Sequence, residues 1–328
     1  MSDELQDVLF LFPGQGSQYR GIGRDLYEQE EVVRQVYQTA GDVLGYDVAR
    51  LSFDDPDGRI DLTRHTQPVL LTHSIACLRA LEQRLGRALA PGAVAGHSLG
   101  EYSALVAAGA LGFEDALTLV ATRGRLMGTL GEGEMEALPV GIEEAKDLAD
   151  SHFCGIAACN MPDQTVVGGS RADLDRLAAA FAEASPRKRS VRLKTEGAFH
   201  TYYMVGAARE FRAHLDAAPI AAPRSRVLSN YSGGFHEENP DAIRTRLFFQ
   251  LFHPVLWHQN LLAAAAAGAR RIIEFGGGIG RGEEPADKRP NPEGIVKKTF
   301  RGSDEPPAYA AVINSQSLDA AAEAMSRG

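Results

Sequence analysis

Residues 93–100 read Ala-Val-Ala-Gly-His-Ser-Leu-Gly, a short apolar run that breaks at glycine and passes into a helical pattern from Leu99 to Ala110. Within it, Gly96-His97-Ser98-Leu99-Gly100 matches G-x-S-x-G between a predicted strand and a predicted helix, the context that a nucleophile elbow needs. Glycine on either side permits a tight turn and close helix–strand packing. The Ser98 hydroxyl is then presented at a helix N-terminus, where backbone N–H groups meet developing negative charge. A strand–turn–helix that merely contains a serine satisfies the same pattern, so the pentapeptide alone leaves both readings open.

Working outward, Val8-Leu9-Phe10-Leu11-Phe12 is a continuous apolar run ending at Pro13-Gly14, expected as a buried parallel strand. Helical spacing of apolar residues covers 31–44, 70–86 (Leu70, Leu71, Ile75, Leu78, Leu81) and 113–129 (Leu117, Val120, Met127). Strands separated by helices indicate an α/β fold with a mainly parallel sheet. The middle differs: strands at 155–159 and 165–168, a helix at 171–182 and a strand at 190–193 make a β–β–α–β run. That run, within about 130–195, is expected to be a small inserted subdomain. A helix from Tyr202, a strand near Val227, helices near 240–250 and 257–267 and a strand at 271–275 follow. The Gly-, Pro- and charge-rich stretch 276–295 is expected to be a long surface loop. The Ala-rich tail from Leu318 reads as a terminal helix or frayed end.

The chain has 328 residues, 44% of them hydrophobic, with 34 Lys and Arg against 43 Asp and Glu for a net charge of −9. An acidic chain without a basic tail is a poor match for nucleic acid or an anionic membrane surface. Three cysteines (Cys77, Cys154, Cys159) are too few for a disulfide framework and fit a reducing cytoplasm. The first residues are acidic and lack the basic segment of a secretion signal, and no apolar run approaches the ~20 residues of a membrane span. No His, Cys and carboxylate group has metal-ligand spacing, so no metal is expected.

A serine nucleophile at neutral pH needs a base. Of nine histidines, His200 stands out because it follows Gly197-Ala198-Phe199 shortly after a strand-like segment, and sites gather at strand ends in α/β sheets. His97 and His253 remain alternatives, and no Asp or Glu has a convincing position as a third triad member. The first predicted strand runs into Phe12-Pro13-Gly14-Gln15-Gly16-Ser17-Gln18. Its glycines let the backbone approach a ligand, and an amide N–H there is a candidate oxyanion donor. It lacks the Gly-Lys-Ser/Thr of a phosphate-binding P-loop.

Together these segments resemble the malonyl-CoA:acyl carrier protein transacylase family, including the acyltransferase domains of polyketide synthases. The matches are FPGQGSQ at 12–18, TQP at 66–68, GHSLGEYSALVAAGAL at 96–111, RGRLM at 123–127, NMPDQTVVGG at 160–169, GAFH at 197–200 and QLFHPVLWHQNL at 250–261, in family order. The resemblance implies a hydrolase-like α/β core (1–129 and 196–328) with a mainly parallel sheet, interrupted by a small ferredoxin-like α+β subdomain (130–195). It implies Ser98 as the nucleophile that takes an acyl group from a coenzyme A thioester. His200 would be the base, oriented by a backbone carbonyl near Gln250, with the N–H groups of Gln15 and Leu99 as the oxyanion hole. Arg123, which alone would read as a snorkelling helix residue, becomes the bidentate clamp on the free carboxylate of a malonyl group. Phe199 matches the bulky residue of malonyl-selective members; it fills the space of a 2-methyl branch, worth ~1–3 kcal/mol of discrimination. Gln67 and Asn160 are expected to line the pocket or brace the subdomain.

The implied partners are an acyl carrier protein bearing a phosphopantetheine thiol and an acyl-CoA. No bound cofactor, nucleic acid or membrane is implied, and the enzyme is expected to be free-standing, trans-acting and cytoplasmic in fatty acid or polyketide synthesis. Against a net-acidic enzyme, docking of an acidic carrier would need a local basic patch, Arg187-Lys188-Arg189 with Lys194 or Lys297-Lys298. Three departures from the family pattern bear on selectivity: the acidic run 131–136, Thr201-Tyr202-Tyr203 after His200, and the long 276–294 segment. They keep two alternatives in view, an acyl-carrier thioester hydrolase and a transferase with an unusual or carrier-bound donor. A non-catalytic docking module fits the intact Ser98, His200 and Arg123 poorly.

Overall fold

The computed structural model describes residues 5–326. Two sheets organise it. The larger has the order β10-β9-β1-β2-β7-β8, built from β1 (Val8–Phe12), β2 (Ala93–Gly96), β7 (Arg226–Ser229), β8 (Gly234–Phe235), β9 (Arg271–Phe275) and β10 (Ala308–Val312). All of its pairings are parallel except the β7–β8 hairpin. Every residue of β1 is buried, as a strand covered by helices on both faces requires. Helices Glu31–Leu44, Thr63–Leu85, Phe113–Leu130 and Val205–Ala217 supply the large apolar cluster around Phe10, Leu71, Leu105 and Phe211.

The smaller sheet has the order β4-β5-β3-β6, from β3 (Glu134–Leu138), β4 (Gly155–Met161), β5 (Gln164–Gly169) and β6 (Val191–Leu193), all antiparallel. Helices Ile142–Ser151 and Arg171–Ala184 complete a β–α–β–β–α–β chain order, the ferredoxin-like arrangement. The α/β class with a parallel main sheet and a ferredoxin-like unit is thus the observed fold. Sequence periodicity caught only the second half of the unit, because β3 reads Glu-Met-Glu-Ala-Leu and its charges hide the strand. Glu134 and Glu136 lie on one face and are neutralised by Arg192, with Arg171 also on Glu134. Met135 on the opposite face joins a different apolar cluster. Glu134 and Glu136 of the acidic run are therefore held in an ion network across the sheet.

The 276–295 stretch is not a free surface loop. Gly276 and Gly278 donate backbone hydrogen bonds to Val312 and Ser17, Ile279 bridges Arg289, and a helix begins at Pro292. Gly276 and Gly277 have φ of 84° and 71°, and added Cβ atoms would lie 2.6 Å from Ser74 and 2.8 Å from Pro13. The glycines are there for close approach, and the segment walls the loop after β1. The strand β10 and the final helix Ser315–Ser326, which buries Leu318 and Ala321, then close that edge. Helix Thr63–Leu85 begins seven residues before its apolar periodicity does; Thr63 N–H is capped by the Glu196 carboxylate at 2.5 Å.

Three neighbouring parallel strands deliver loops to one end of the main sheet: β1 to Pro13–Gln15, β2 to His97–Ser98, and β7 to Asn230. Close packing at that end rests on glycine. An added Cβ on Gly100 would stand 2.3 Å from the Phe12 carbonyl oxygen, and one on Gly96 would stand 1.9 Å from the Gly100 backbone. Gly100→Ala is expected to lower stability by about 1–3 kcal/mol through overpacking. Urea unfolding reads this as a lower midpoint; an unchanged midpoint would mean that the β1 loop yields without cost.

Candidate active site

Ser98 sits at the turn between β2 and helix Gly100–Ala107 with φ of 52°, and His200 has φ of 62°. Non-glycine residues occupy this left-handed region only where their surroundings hold them there. The holders of Ser98 are visible. Its N–H donates to Asn230 Oδ1 at 2.5 Å, while Asn230 Nδ2 donates to the Gly96 carbonyl at 2.7 Å. Its carbonyl accepts from Gln250 Nε2 at 2.9 Å.

Ser98 Oγ lies 2.8 Å from His200 Nε2, and His200 Nδ1 lies 2.7 Å from the Gln250 backbone carbonyl. A carbonyl can only accept, so Nδ1 carries the ring proton and Nε2 is left to accept from the Ser98 hydroxyl. A neutral carbonyl thus occupies the place of a triad acid, which is why no Asp or Glu was legible there. Burial, and then the nearby Arg123 charge, push the His200 pKa down to about 3. The other candidate histidines are engaged elsewhere: His97 bonds Asn160 Oδ1 at 2.9 Å and packs edge-on to Trp257, and His253 bonds the Phe249 carbonyl.

Arg123 is fully buried, and burial lowers its pKa. Its Nη2 donates to Ser98 Oγ and to Gln250 Oε1, each at 3.0 Å. Its Nε and Nη1 have no partner. The Tyr102 ring centre lies 5.5 Å from the guanidinium carbon. A buried cation with unmet donors is costly, and the missing complement is an anionic acceptor.

These groups border a cleft of about 180 Å³ lined by Gln15, Gln67, Ser98, Leu99, Arg123 and Phe199, among others. The smaller sheet contributes Met135, Ala158, Val166 and Leu193 to its wall. Phe199 is buried on that wall. Gln67 points Nε2 at Met127 Sδ and leaves Oε1 unpaired. The Gln15 side chain is tied to Thr63 Oγ1 at 3.2 Å. Among the described residues the N–H groups of Gln15 and Leu99 find no hydrogen-bond acceptor, and Leu99 stands at the helix N-terminus beside Ser98. Every residue expected at the site from sequence is therefore brought together. Among the described residues no cluster of His, Cys, Asp and Glu could hold a metal ion.

The acyl transferase domain model matches residues 9–275. The chain belongs to that family. It is 37% identical over 283 residues to the malonyl CoA-acyl carrier protein transacylase of Bacillus subtilis, covering 84% of this chain and 88% of the relative. The solved malonyl-CoA:acyl carrier protein transacylase of Xanthomonas oryzae superposes with a TM-score of 0.87 at 31% identity, over 99% of each chain. A malonyl-transacylase solved in complex with its type II polyketide acyl carrier protein superposes with a TM-score of 0.83 at 31% identity, over 97% of this chain and 99% of that one.

Three residues at the site were missed from sequence: Glu101, Asn230 and His236. Glu101 is wholly buried, its Oε1 2.6 Å from His236 Nε2 and its Oε2 accepting from Gln250 Nε2 at 2.8 Å and Asn230 N–H at 3.0 Å. One signal was available, a glutamate inside a helix whose other residues from Tyr102 to Val106 are Ser, Ala and apolar. The depressed His200 pKa has a direct consequence: its imidazole is expected to stay neutral at pH 5. Nitrogen-15 shifts of the His200 ring check this; a protonation midpoint near 6.5 would contradict the burial.

Proposed function

We propose that this acyltransferase moves a malonyl group from coenzyme A to the phosphopantetheine thiol of an acyl carrier protein through an acyl-Ser98 intermediate. The observation that carries the reading is the buried Arg123, with two unpaired nitrogens, beside a Ser98–His200 pair. A plain acyl donor would leave those two nitrogens without an acceptor, whereas a malonyl carboxylate meets them with charge-assisted hydrogen bonds. The activities of the Bacillus subtilis and Xanthomonas oryzae relatives support it.

In this scheme the Ser98 hydroxyl gives its proton to His200 Nε2 as Oγ attacks the thioester carbonyl. The oxyanion is met by the Gln15 and Leu99 N–H groups; a donor of this kind is worth ~2.7–4 kcal/mol in the transition state. Collapse breaks the carbon–sulfur bond, and His200 returns its proton to the departing coenzyme A thiolate. The carrier's thiol then gives its proton to His200 and attacks the acyl ester, and Ser98 leaves with that proton. The Gln250 carbonyl holds the His200 ring for both halves. Phe199 and Gln67 shape the acyl pocket, with Phe199 disfavouring a 2-branched donor.

Coenzyme A enters as a thioester substrate, the pantetheine arrives on the carrier, and no resident cofactor takes part. Residues 130–195 act as a subdomain that walls the acyl pocket against the core. The three unpaired cysteines favour the cytoplasm, and among the described residues no helix is long and apolar enough to cross a membrane. For the carrier, Arg187, Arg189 and Lys194 are exposed and offer the basic patch, whereas Lys297 is engaged by Glu293.

Intact-mass analysis with malonyl-CoA and a holo carrier protein is expected to show malonyl first on Ser98 and then on the carrier. Release of free malonate without carrier loading would mark a hydrolase instead. Arg123→Ala is expected to reduce the malonyl-over-acetyl preference in loading by roughly 10–150-fold, the loss of one or two charged hydrogen bonds. An unchanged preference would remove Arg123 from the clamp.

A further inference from the structure

The cost of keeping Arg123 buried points to a second charge. Arg123 makes no direct ion pair among the described residues, yet it is wholly buried. A carboxylate is at hand in Glu101, also wholly buried, which after the adjacent Tyr102 is the group that favours the protonated guanidinium. The two are joined through one side chain. Gln250 Oε1 accepts from Arg123, while Gln250 Nε2 donates to Glu101 Oε2 and to the Ser98 carbonyl. Glu101 is in turn fixed by His236 Nε2 on its other oxygen and by the Asn230 N–H. All three groups facing the carboxyl act as donors, so Oε1 accepts from His236 and Oε2 from Gln250 and Asn230.

We propose that Glu101 is a positioning residue and the resident counter-charge of the acyl pocket. Acting through the Gln250 amide, it balances the buried Arg123 charge and keeps the guanidinium aimed at Ser98 in the empty enzyme, and it offsets part of the field that a substrate carboxylate feels on arrival. This deepens the malonyl-transfer reading and rests on it. Two consequences follow from the geometry. Removing the charge while keeping the shape leaves a buried cation uncompensated, so the empty enzyme loses stability. It also removes a resident anion that competes with the incoming carboxylate for Arg123, so malonyl binding tightens. Removing the whole side chain instead frees Gln250, whose backbone carbonyl orients His200, and slows loading of every donor.

Glu101→Gln is the charge variant, because an amide can keep contact with Gln250 and, with the other His236 tautomer, with that ring. Ser98 loading by malonyl-CoA and by acetyl-CoA is followed by mass in wild type, Glu101→Gln and Glu101→Ala. In Glu101→Gln the malonyl-CoA KM is expected to fall about tenfold while the acetyl-CoA KM stays within threefold. Sodium malonate is expected to raise its melting temperature more than it raises that of wild type. A loss of fold alone would lower kcat for both donors and leave the two KM values unchanged. If Glu101→Gln folds only when malonate is added, that rescue supports the counter-charge. Failure to fold even with malonate would overturn it, as would a malonyl-CoA KM that is unchanged or raised. In Glu101→Ala, kcat is expected to fall at least tenfold for both donors, and equal rates would sink the positioning role. Absence of malonyl on wild-type Ser98 would overturn the transfer reading itself, which separates the two failures.

Discussion

Ser98 holds a backbone conformation that costs of order 1–3 kcal/mol for a residue with a side chain, and much of the surrounding structure serves to hold it. Gly96 and Gly100 cannot carry a Cβ, because the turn is pressed against itself and against the Phe12 carbonyl. Asn230 spans the turn by bonding both the Ser98 N–H and the Gly96 carbonyl. Asn230 itself is where it is because β7 pairs in parallel with β2 and ends at the same level. The parallel register of the main sheet is therefore the origin of the elbow: it fixes which loops can meet, and the glycines decide how closely.

Charge is the second constraint. A guanidinium placed at full burial 3.0 Å from the Ser98 hydroxyl acts on everything around it. It disfavours protonation of His200, which leaves Nε2 free to accept a proton but makes the imidazolium expensive to form. That expense is smaller once an anion sits against Arg123, so a carboxylate-bearing acyl group would ease the step in which His200 takes up the Ser98 proton. The neutral Gln250 carbonyl behind His200 orients the ring without adding a full negative charge beside Arg123. An aspartate in that position would compete with the substrate for the same cation. The absence of a triad acid and the presence of a buried arginine are thus two sides of one arrangement.

Much of this was legible in the sequence, and what was not shares a cause. The strand at 271–275 and the helix at 31–44 were read to their observed ends, because continuous apolar runs and 3.6-residue spacing are local signals. Ser98 and His200 were legible from turn chemistry and order along the chain. The failures are elements stabilised from far away. β3 became a strand because Arg192, some 56 residues on, neutralises its glutamates. Helix Thr63–Leu85 gained its first turns from a cap at Glu196, 133 residues away. The 276–295 segment looked like a loop because its glycines answer to Ser74 and Pro13 rather than to each other. Glu101 and His236 are 135 residues apart, and a helix periodicity that scores Glu101 as polar has no means of burying it.

The smaller sheet supplies one wall of the cleft, and the main fold supplies the polar groups around Ser98. Met135, Ala158, Val166 and Leu193 come from β3 to β6, while Ser98, Arg123 and Gln15 come from the main fold. Phe199 and His200 lie where the chain returns from one to the other, and the Ala198 N–H bonds the Glu132 carbonyl in the segment leading out to β3. The two crossings are thereby tied together by a backbone hydrogen bond. The His200 backbone is itself held to the main fold, its N–H donating to the Leu251 carbonyl at 3.2 Å. Variation among the wall residues can retune which acyl group fits, since each methyl is worth only ~1–3 kcal/mol. Variation at the crossing itself carries a larger cost, because the left-handed His200 backbone depends on it.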